Sequence, residues 1–290
     1  MKRSRVSNTA QVNLLMLADL GIEEAVTFQS VLGFSPGILG VLSHIPMADL
    51  LPQCIALISE VLYERTNQLI LEHDNPLILD LACGYSPRVL RFCDPDHIYI
   101  GVDLPDVAEH LRHHIHHLVG AKAFAHNHYF SADLTKYEEL DQLISSMNSP
   151  ETIITQALLT YLTLDQKKML MDQLKALLKR SGGCWIIPDA EPDRMLPEVF
   201  EAVIGSGALS VYEEVISLLD SIIKRDRTAN GWQSLDEITE ALESNGFTVT
   251  KVPLYTDSLQ LRSLERLSTE CAEQIKDNWR NTCSLVVEVK

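Results

Sequence analysis

Apolar residues recur every three or four positions from Asn13 to Leu32 and again from Met47 to Leu71, where Leu50, Cys54, Ile58, Leu62 and Leu69-Ile70 share one face. That period is helical, so residues 7–74 read as helices broken near Gly33 and Pro36-Gly37. The pattern changes after Asn75-Pro76. Leu77-Ile78-Leu79-Asp80-Leu81-Ala82 is a short aliphatic run of the kind a buried parallel strand needs. It breaks at Gly84, and Ser86-Pro87 then reads as a helix start, with a serine to cap free N–H groups and a proline where its missing N–H costs nothing. A second run, Ile98-Tyr99-Ile100-Gly101-Val102, ends in Asp103.

Strand and helix then alternate. A helix from Asp106 to Val119 leads to a strand near Phe124 to Ala132, and a helix from Lys136 to Met147 leads to a strand from Thr152 to Gln156. The helix from Leu164 to Leu178 stops at Gly182-Gly183, before the strand Cys184 to Pro188. Residues 191–227 break the alternation with helical residues around Gly205-Ser206-Gly207, an expected insertion over the carboxyl edge of the sheet. Ser234, with Glu237 three positions on, starts another helix. Strands Phe247 to Tyr255 and Cys283 to Val289 flank a helix from Ser258 to Lys276. The expectation is an α/β fold with a mostly parallel seven-stranded sheet and helices on both faces. An N-terminal helical cap (1–75) covers a ligand-binding domain (76–290) with a helical insertion at about 191–230.

Composition narrows the partners. With 46% hydrophobic and 22% charged residues in 290, the chain can bury a full core. A formal charge of −16 argues against nucleic acid or an anionic membrane surface, since both require clustered Lys and Arg. No secretory signal or run of about 20 apolar residues is present. The six cysteines are scattered without a C-x-x-C pair, as expected of reduced thiols in a cytoplasmic protein.

A strand, a glycine turn, a capped helix, a strand and an acid about 20 residues past the glycine suit a ribose-bearing ligand. The dinucleotide pattern G-x-G-x-x-G is not met by Ala82-Cys83-Gly84-Tyr85-Ser86-Pro87, and no G-K-S or G-K-T exists for a P-loop.

LDLACGYSPR followed by YIGVDLPD resembles motif I and its acid in class I S-adenosylmethionine-dependent methyltransferases. More closely, it resembles the leucine carboxyl methyltransferase family and its polyketide O-methyltransferase branch. ITQALLTYLTLDQKKMLMDQLKALLKRSGGCWIIPD is similar to a later block of that branch. The likeness covers about residues 76–190 well, the last fifty loosely, and little before residue 75.

The resemblance implies a Rossmann-like class I methyltransferase fold and S-adenosyl-L-methionine as cofactor. It implies that the backbone at Cys83, Gly84 and Tyr85 approaches the methionine part, where a Cβ on residue 84 would obstruct it. Arg88 would pair with the cofactor carboxylate, Asp103 would take the ribose hydroxyls, and Leu104 would pack on the adenine. Asp133, beside Leu134, would meet the adenine amino group, and Gln156 would face the sulfonium and the acceptor. That branch has an acid where this chain has Gln156. Asp80 either positions the glycine turn or binds neighbouring backbone N–H groups, and Asp133 suits a helix N-cap equally well.

Methyl transfer from a sulfonium is an in-line displacement, and a base is required only for a protonated acceptor. Gln156, Tyr161 and Tyr212 are the catalytic candidates, with Asp189 and Arg225 as further substrate contacts. His110, His113, His114 and His117 share one helix face at metal-ligand spacing, but no carboxylate lies among them, so a solvated face and no metal are expected. His126 and His128 read as buried strand residues. The expected enzyme is a small-molecule methyltransferase, with homodimerisation compatible. Two other chemistries stay open: cyclisation or lyase reaction of the cofactor itself, and cofactor binding without turnover.

Overall fold

The structure is a computed structural model that describes residues 5–34, 47, 49–124, 127–146, 152–223, 232 and 234–290. The cap holds α1 (Arg5–Asp19), α2 (Glu23–Leu32) and α3 (Leu51–His73). The expected helix from Asn13 to Leu32 is two helices, because Gly21 adopts a left-handed φ of +74° between them.

The alternating part holds β1 (Leu77–Leu81), α4 (Arg88–Arg91), β2 (Ile98–Asp103), α5 (Pro105–Phe124), β3 (Asn127–Ser131), α6 (Tyr137–Ser146), β4 (Thr152–Ile154), α7 (Leu164–Ser181) and β5 (Cys184–Ile187). Then come α8 (Pro192–Ile204), α9 (Ala208–Ile223), α10 (Leu235–Ser244), β6 (Phe247–Pro253), α11 (Arg262–Glu265), α12 (Thr269–Asn281) and β7 (Cys283–Val289).

The seven strands form one sheet in the order β3-β2-β1-β4-β5-β7-β6. The first five pair in parallel, and β7 runs antiparallel to both β5 and β6. This is the expected α/β fold, a mostly parallel seven-stranded sheet with helices on both faces.

Three expected elements differ. β3 starts three residues late, because α5 runs on to Phe124 with a left-handed Gly120 inside it. The helix expected over Ser258–Lys276 is split into α11 and α12, and the Ser268 side chain caps the second by accepting the Cys271 N–H. At α4, Pro87 is the N-cap and Ser86 Oγ accepts the Arg88 N–H at 3.4 Å. Other signals hold: Gly182 ends α7 with φ +74°, and Ser234 Oγ accepts the Glu237 N–H; Thr163 and Gln166 add a capping box at the start of α7.

The core has three clusters. One lies between the sheet and the helices α1, α2 and α5. The second packs α6, α7 and α10 on the other face around Trp185 and Phe247. The third joins α3 to the inserted helices α8 and α9 and to α12 around Trp279. The cap is also tied down by polar contacts. Buried Glu60 accepts the backbone N–H groups of Arg262 and Ser263, and Arg91 of α4 pairs with Glu24 of α2 at 2.8 Å. The cap and the insertion therefore share core with the carboxyl half of the chain.

Candidate active site

Asp103 ends β2 and is 9% exposed. Its Oδ2 accepts the Gly84 N–H at 2.7 Å and its Oδ1 accepts the Leu104 N–H at 2.8 Å, so one carboxylate ties the glycine turn to the start of α5. Burial lifts its pKa to about 6, against the two N–H groups that hold it down.

The turn itself is strained. Ala82 sits at φ +57° and Gly84 at φ +54°. A Cβ on Gly84 would come within 3.0 Å of Ala10 Cβ on α1. Cys83 is buried behind the turn with its N–H on the Val102 carbonyl, and burial pushes its thiol well up. The Tyr85 ring points into the cap: it packs edge-on against Phe34 at 4.6 Å and lies 3.3 Å from His110 Nδ1 through its hydroxyl.

Arg88 is the centre of a buried polar cluster. The resemblance makes Arg88 a partner for a cofactor carboxylate; the residue is 1% exposed and already has an internal carboxylate. Its Nη1 donates to Asp80 Oδ2 at 2.5 Å, its Nε to Asn67 Oδ1 at 2.9 Å and its Nη2 to Gln156 Oε1 at 2.9 Å. Tyr99 donates to the same Asp80 oxygen at 2.9 Å, and the guanidinium lies over the Tyr63 ring. Asp80 thus binds side chains across the sheet. Burial opposes the guanidinium charge, but Asp80 outweighs it and raises the Arg88 pKa. A guanidinium has five N–H donors, so two remain unspent inside this cluster. Asn67 and Tyr63, both buried, lie against this cluster from α3. Asn67 and Tyr63 escaped the sequence reading because they lie within the helical periodicity of α3.

At the carboxyl edge, Gln156 lies two residues past β4 and is half-buried. Ala157 follows at φ +60°, and its N–H donates to Asp189 Oδ2 at 3.0 Å. Asp189 comes two residues after β5, its Oδ1 buried without a hydrogen bond. Burial raises its pKa to about 6, with the Ala157 N–H opposing. Gln156 is therefore brought together with both Arg88 and the strand-five acid. Tyr161 ends a short 3-10 turn, Leu159–Tyr161, half-buried on the same edge.

The remaining candidates lie elsewhere. Tyr212 is buried in the third cluster with its ring against Phe200 at 5.6 Å. Asp133 caps the entry to α6: its Oδ1 accepts the Thr135 N–H and hydroxyl, and Lys136 lies 3.4 Å away. Partial burial opposes its charge, but those contacts hold its carboxyl below the usual range. Leu134 is buried in the second cluster. Arg225 and His126 lie outside the described residues.

The histidine face is solvated only in part. His113, His116 and His117 are exposed, whereas His110 packs on Phe34 and Tyr85, and His114 bonds the His110 carbonyl at 2.8 Å. His128 is exposed, because it points to the face of β3 opposite buried Asn127 and Tyr129. Among the described residues no group of three or more His, Cys, Asp or Glu could hold a metal, and no helix is long and apolar enough to cross a membrane. All six cysteines are unpaired.

Residues 68–175 match the family model for leucine carboxyl methyltransferase. No curated protein matches the chain. Among solved structures, an O-methyltransferase family protein from Burkholderia thailandensis is 13% identical with a TM-score of 0.45; the match covers 86% of this chain and 61% of that one. This chain thus spans less than two thirds of that protein. Magnesium protoporphyrin IX methyltransferase from Synechocystis with bound SAH is 11% identical, with a TM-score of 0.47 and coverage of 82% and 85%. A putative O-methyltransferase from Nostoc punctiforme is 13% identical, with a TM-score of 0.46 and coverage of 97% and 72%. Gly84, Asp103 and the strands that carry them all lie inside the stretch 68–175 that is similar to leucine carboxyl methyltransferase.

Proposed function

We propose that the chain transfers the methyl group of S-adenosylmethionine to an oxygen of a small-molecule acceptor, a hydroxyl or a carboxylate. One observation carries the reading. The Asp103 carboxylate stands enclosed at the carboxyl end of β2, bridging the Gly84 and Leu104 N–H groups. An acid there, beside a residue without Cβ, suits a ribose diol lying over the turn.

The surrounding residues fit the same cofactor. Arg88 keeps two unspent N–H donors in a buried cluster, which suits a carboxylate. Leu104 is half-buried beside Asp103, where an adenine could pack. The bound cofactor supplies an electrophilic methyl carbon on a sulfonium. The chain's own part is orientation and exclusion of water: the Asp80–Arg88–Gln156 line fixes the edge of β1 and β4, and α1 and α3 of the cap lie against it at Ala10 and Asn67.

The test is incubation of the full chain with methyl-labelled cofactor and mass analysis of the products. S-adenosylhomocysteine with a labelled acceptor is expected. Methylthioadenosine without a labelled acceptor would point to cofactor cleavage instead, and tight binding without any product would point to a non-catalytic role.

A further inference from the structure

We propose that Asp189 is the catalytic base of this site, and that the acceptor is therefore a protic hydroxyl and not a carboxylate. This inference rests on the methyltransferase reading above and names its substrate class.

The geometry is that of a held and aimed group. Gln156 and Asp189 follow the neighbouring central strands β4 and β5 at their carboxyl ends, where ligands of open α/β sheets bind. Ala157 holds a left-handed backbone that costs a residue with a Cβ on the order of 1 kcal/mol, and its N–H is spent on Asp189 Oδ2. Strain of that kind persists where the surroundings require it. Here it fixes one carboxylate oxygen and leaves the other, Oδ1, buried with no hydrogen bond. The residue as a whole is partly exposed while its carboxyl is enclosed. Among the described residues no charged side chain shifts it; the Ala157 N–H and its own backbone are its partners.

A buried, unpartnered acceptor oxygen favours a ligand that donates a proton. A hydroxyl would satisfy Oδ1. A carboxylate acceptor would face like charge in a dry pocket and would need no base. The position one strand away reinforces the choice. Gln156, an amide, cannot take a proton and is already occupied by Arg88, so of the two residues only Asp189 can perform acid–base work.

The step balances. Asp189 Oδ1 takes the hydroxyl proton while an oxygen electron pair forms the bond to the methyl carbon. The C–S bond breaks with its pair left on sulfur, giving a methyl ether and S-adenosylhomocysteine. The protonated Asp189 then returns its proton to solvent. A pKa raised to about 6 leaves the carboxylate ionised at neutral pH and closer to the acceptor's pKa than an ordinary Asp.

The experiment compares the full chain with Asp189→Asn, using 4-nitrophenol and catechol as hydroxyl probes and benzoate and octanoate as carboxylate probes. Label in a hydroxyl probe, a kcat about 100-fold lower in Asp189→Asn and cofactor affinity unchanged by calorimetry are expected. Label only in the carboxylate probes, or an unchanged kcat in the variant, overturns the inference. Difference infrared spectra of the two proteins give a readout independent of turnover, and decide alone if no probe is methylated. A carboxyl band lost in the parent as pH rises through about 6 supports a base. A band that persists to about pH 9 overturns it, because a group that stays protonated there is no base at neutral pH. Failure of the underlying reading looks different: no cofactor binding in either protein, or methylthioadenosine formed by both.

Discussion

Arg88 and Asp80 meet at 2.5 Å with side chains only 1% and 2% exposed, on opposite sides of the glycine turn. Removing one partner of such a pair leaves a buried charge uncompensated, at a cost of about 3–5 kcal/mol. Arg88→Leu and Asp80→Leu should each destabilise by that order in urea unfolding. The double variant should cost clearly less than the two single losses combined. Additive losses would mean that the two side chains act independently.

Ala82 occupies a left-handed conformation at φ +57°. Glycine adopts it freely, while a residue with a Cβ loses roughly 1–2 kcal/mol. The gain is offset in part by the greater unfolded-state freedom of glycine, about 0.5–1 kcal/mol. Ala82→Gly should therefore raise stability by about 0.5–1 kcal/mol in thermal or urea unfolding. Gly101→Ala should do the reverse, since its Cβ would overlap the Tyr129 ring. A loss of about 1–3 kcal/mol is expected there.

Asp103→Ala should weaken cofactor binding at least tenfold, about 1.4 kcal/mol, by leaving a diol without its acceptor. Isothermal calorimetry reads this directly. Unchanged affinity would remove Asp103 from the cofactor site.

The same acid makes stability depend on pH. Burial raises the Asp103 pKa from 3.8 to about 6, so between these values the folded chain binds more protons than the unfolded one. Stability from this group is thus fullest below the unfolded pKa and declines as pH rises through the folded one. Asp189, also near 6, adds in the same sense. A rise from 3.8 to about 6 corresponds to on the order of 3 kcal/mol per group. Urea midpoints should therefore fall between about pH 4 and about pH 6.5, and Asp103→Asn should flatten part of that slope. Cofactor affinity should run the other way, rising as Asp103 ionises.

Phe34 closes the cap onto the turn by packing on Tyr85 and His110. Phe34→Ala should cost about 3–5 kcal/mol, and hydrogen exchange should speed up most in α2, whose end it anchors.

Much of the fold was legible because burial and period coincide. The runs at Leu77, Ile98, Thr152 and Cys184 are buried on both faces. Breaks inside helical periodicity were harder: neither Gly21 nor Ser268 interrupts the apolar spacing, so two pairs of helices read as one each. The site was half legible. The spacing of Gly84 and Asp103 marks both for a ribose-bearing ligand, and the hydrogen bond that joins them is seen only in the fold. The partnership of Arg88 with Asp80, Asn67 and Gln156 needs three separated segments, and only the sheet brings them together. Asp133 shows the opposite case, where local chemistry prevailed and the acid caps α6. Tyr212 went into a helical core because its neighbours on α9 are apolar on the same face.

The antiparallel β7 has a consequence in time. It lies between β5 and β6, pairing Val287 with both Trp185 and Val249. During synthesis β6 emerges before β7 and has no sheet neighbour to join, so α10 and β6 must wait as an unattached unit. The five parallel strands can assemble first, and the arrival of residues 283–289 is the event that locks the sheet. A nascent chain stalled before that point should hold its glycine turn yet leave Trp185 and Leu285's side of the core open, which makes the last strand the step that commits the molecule to its folded state.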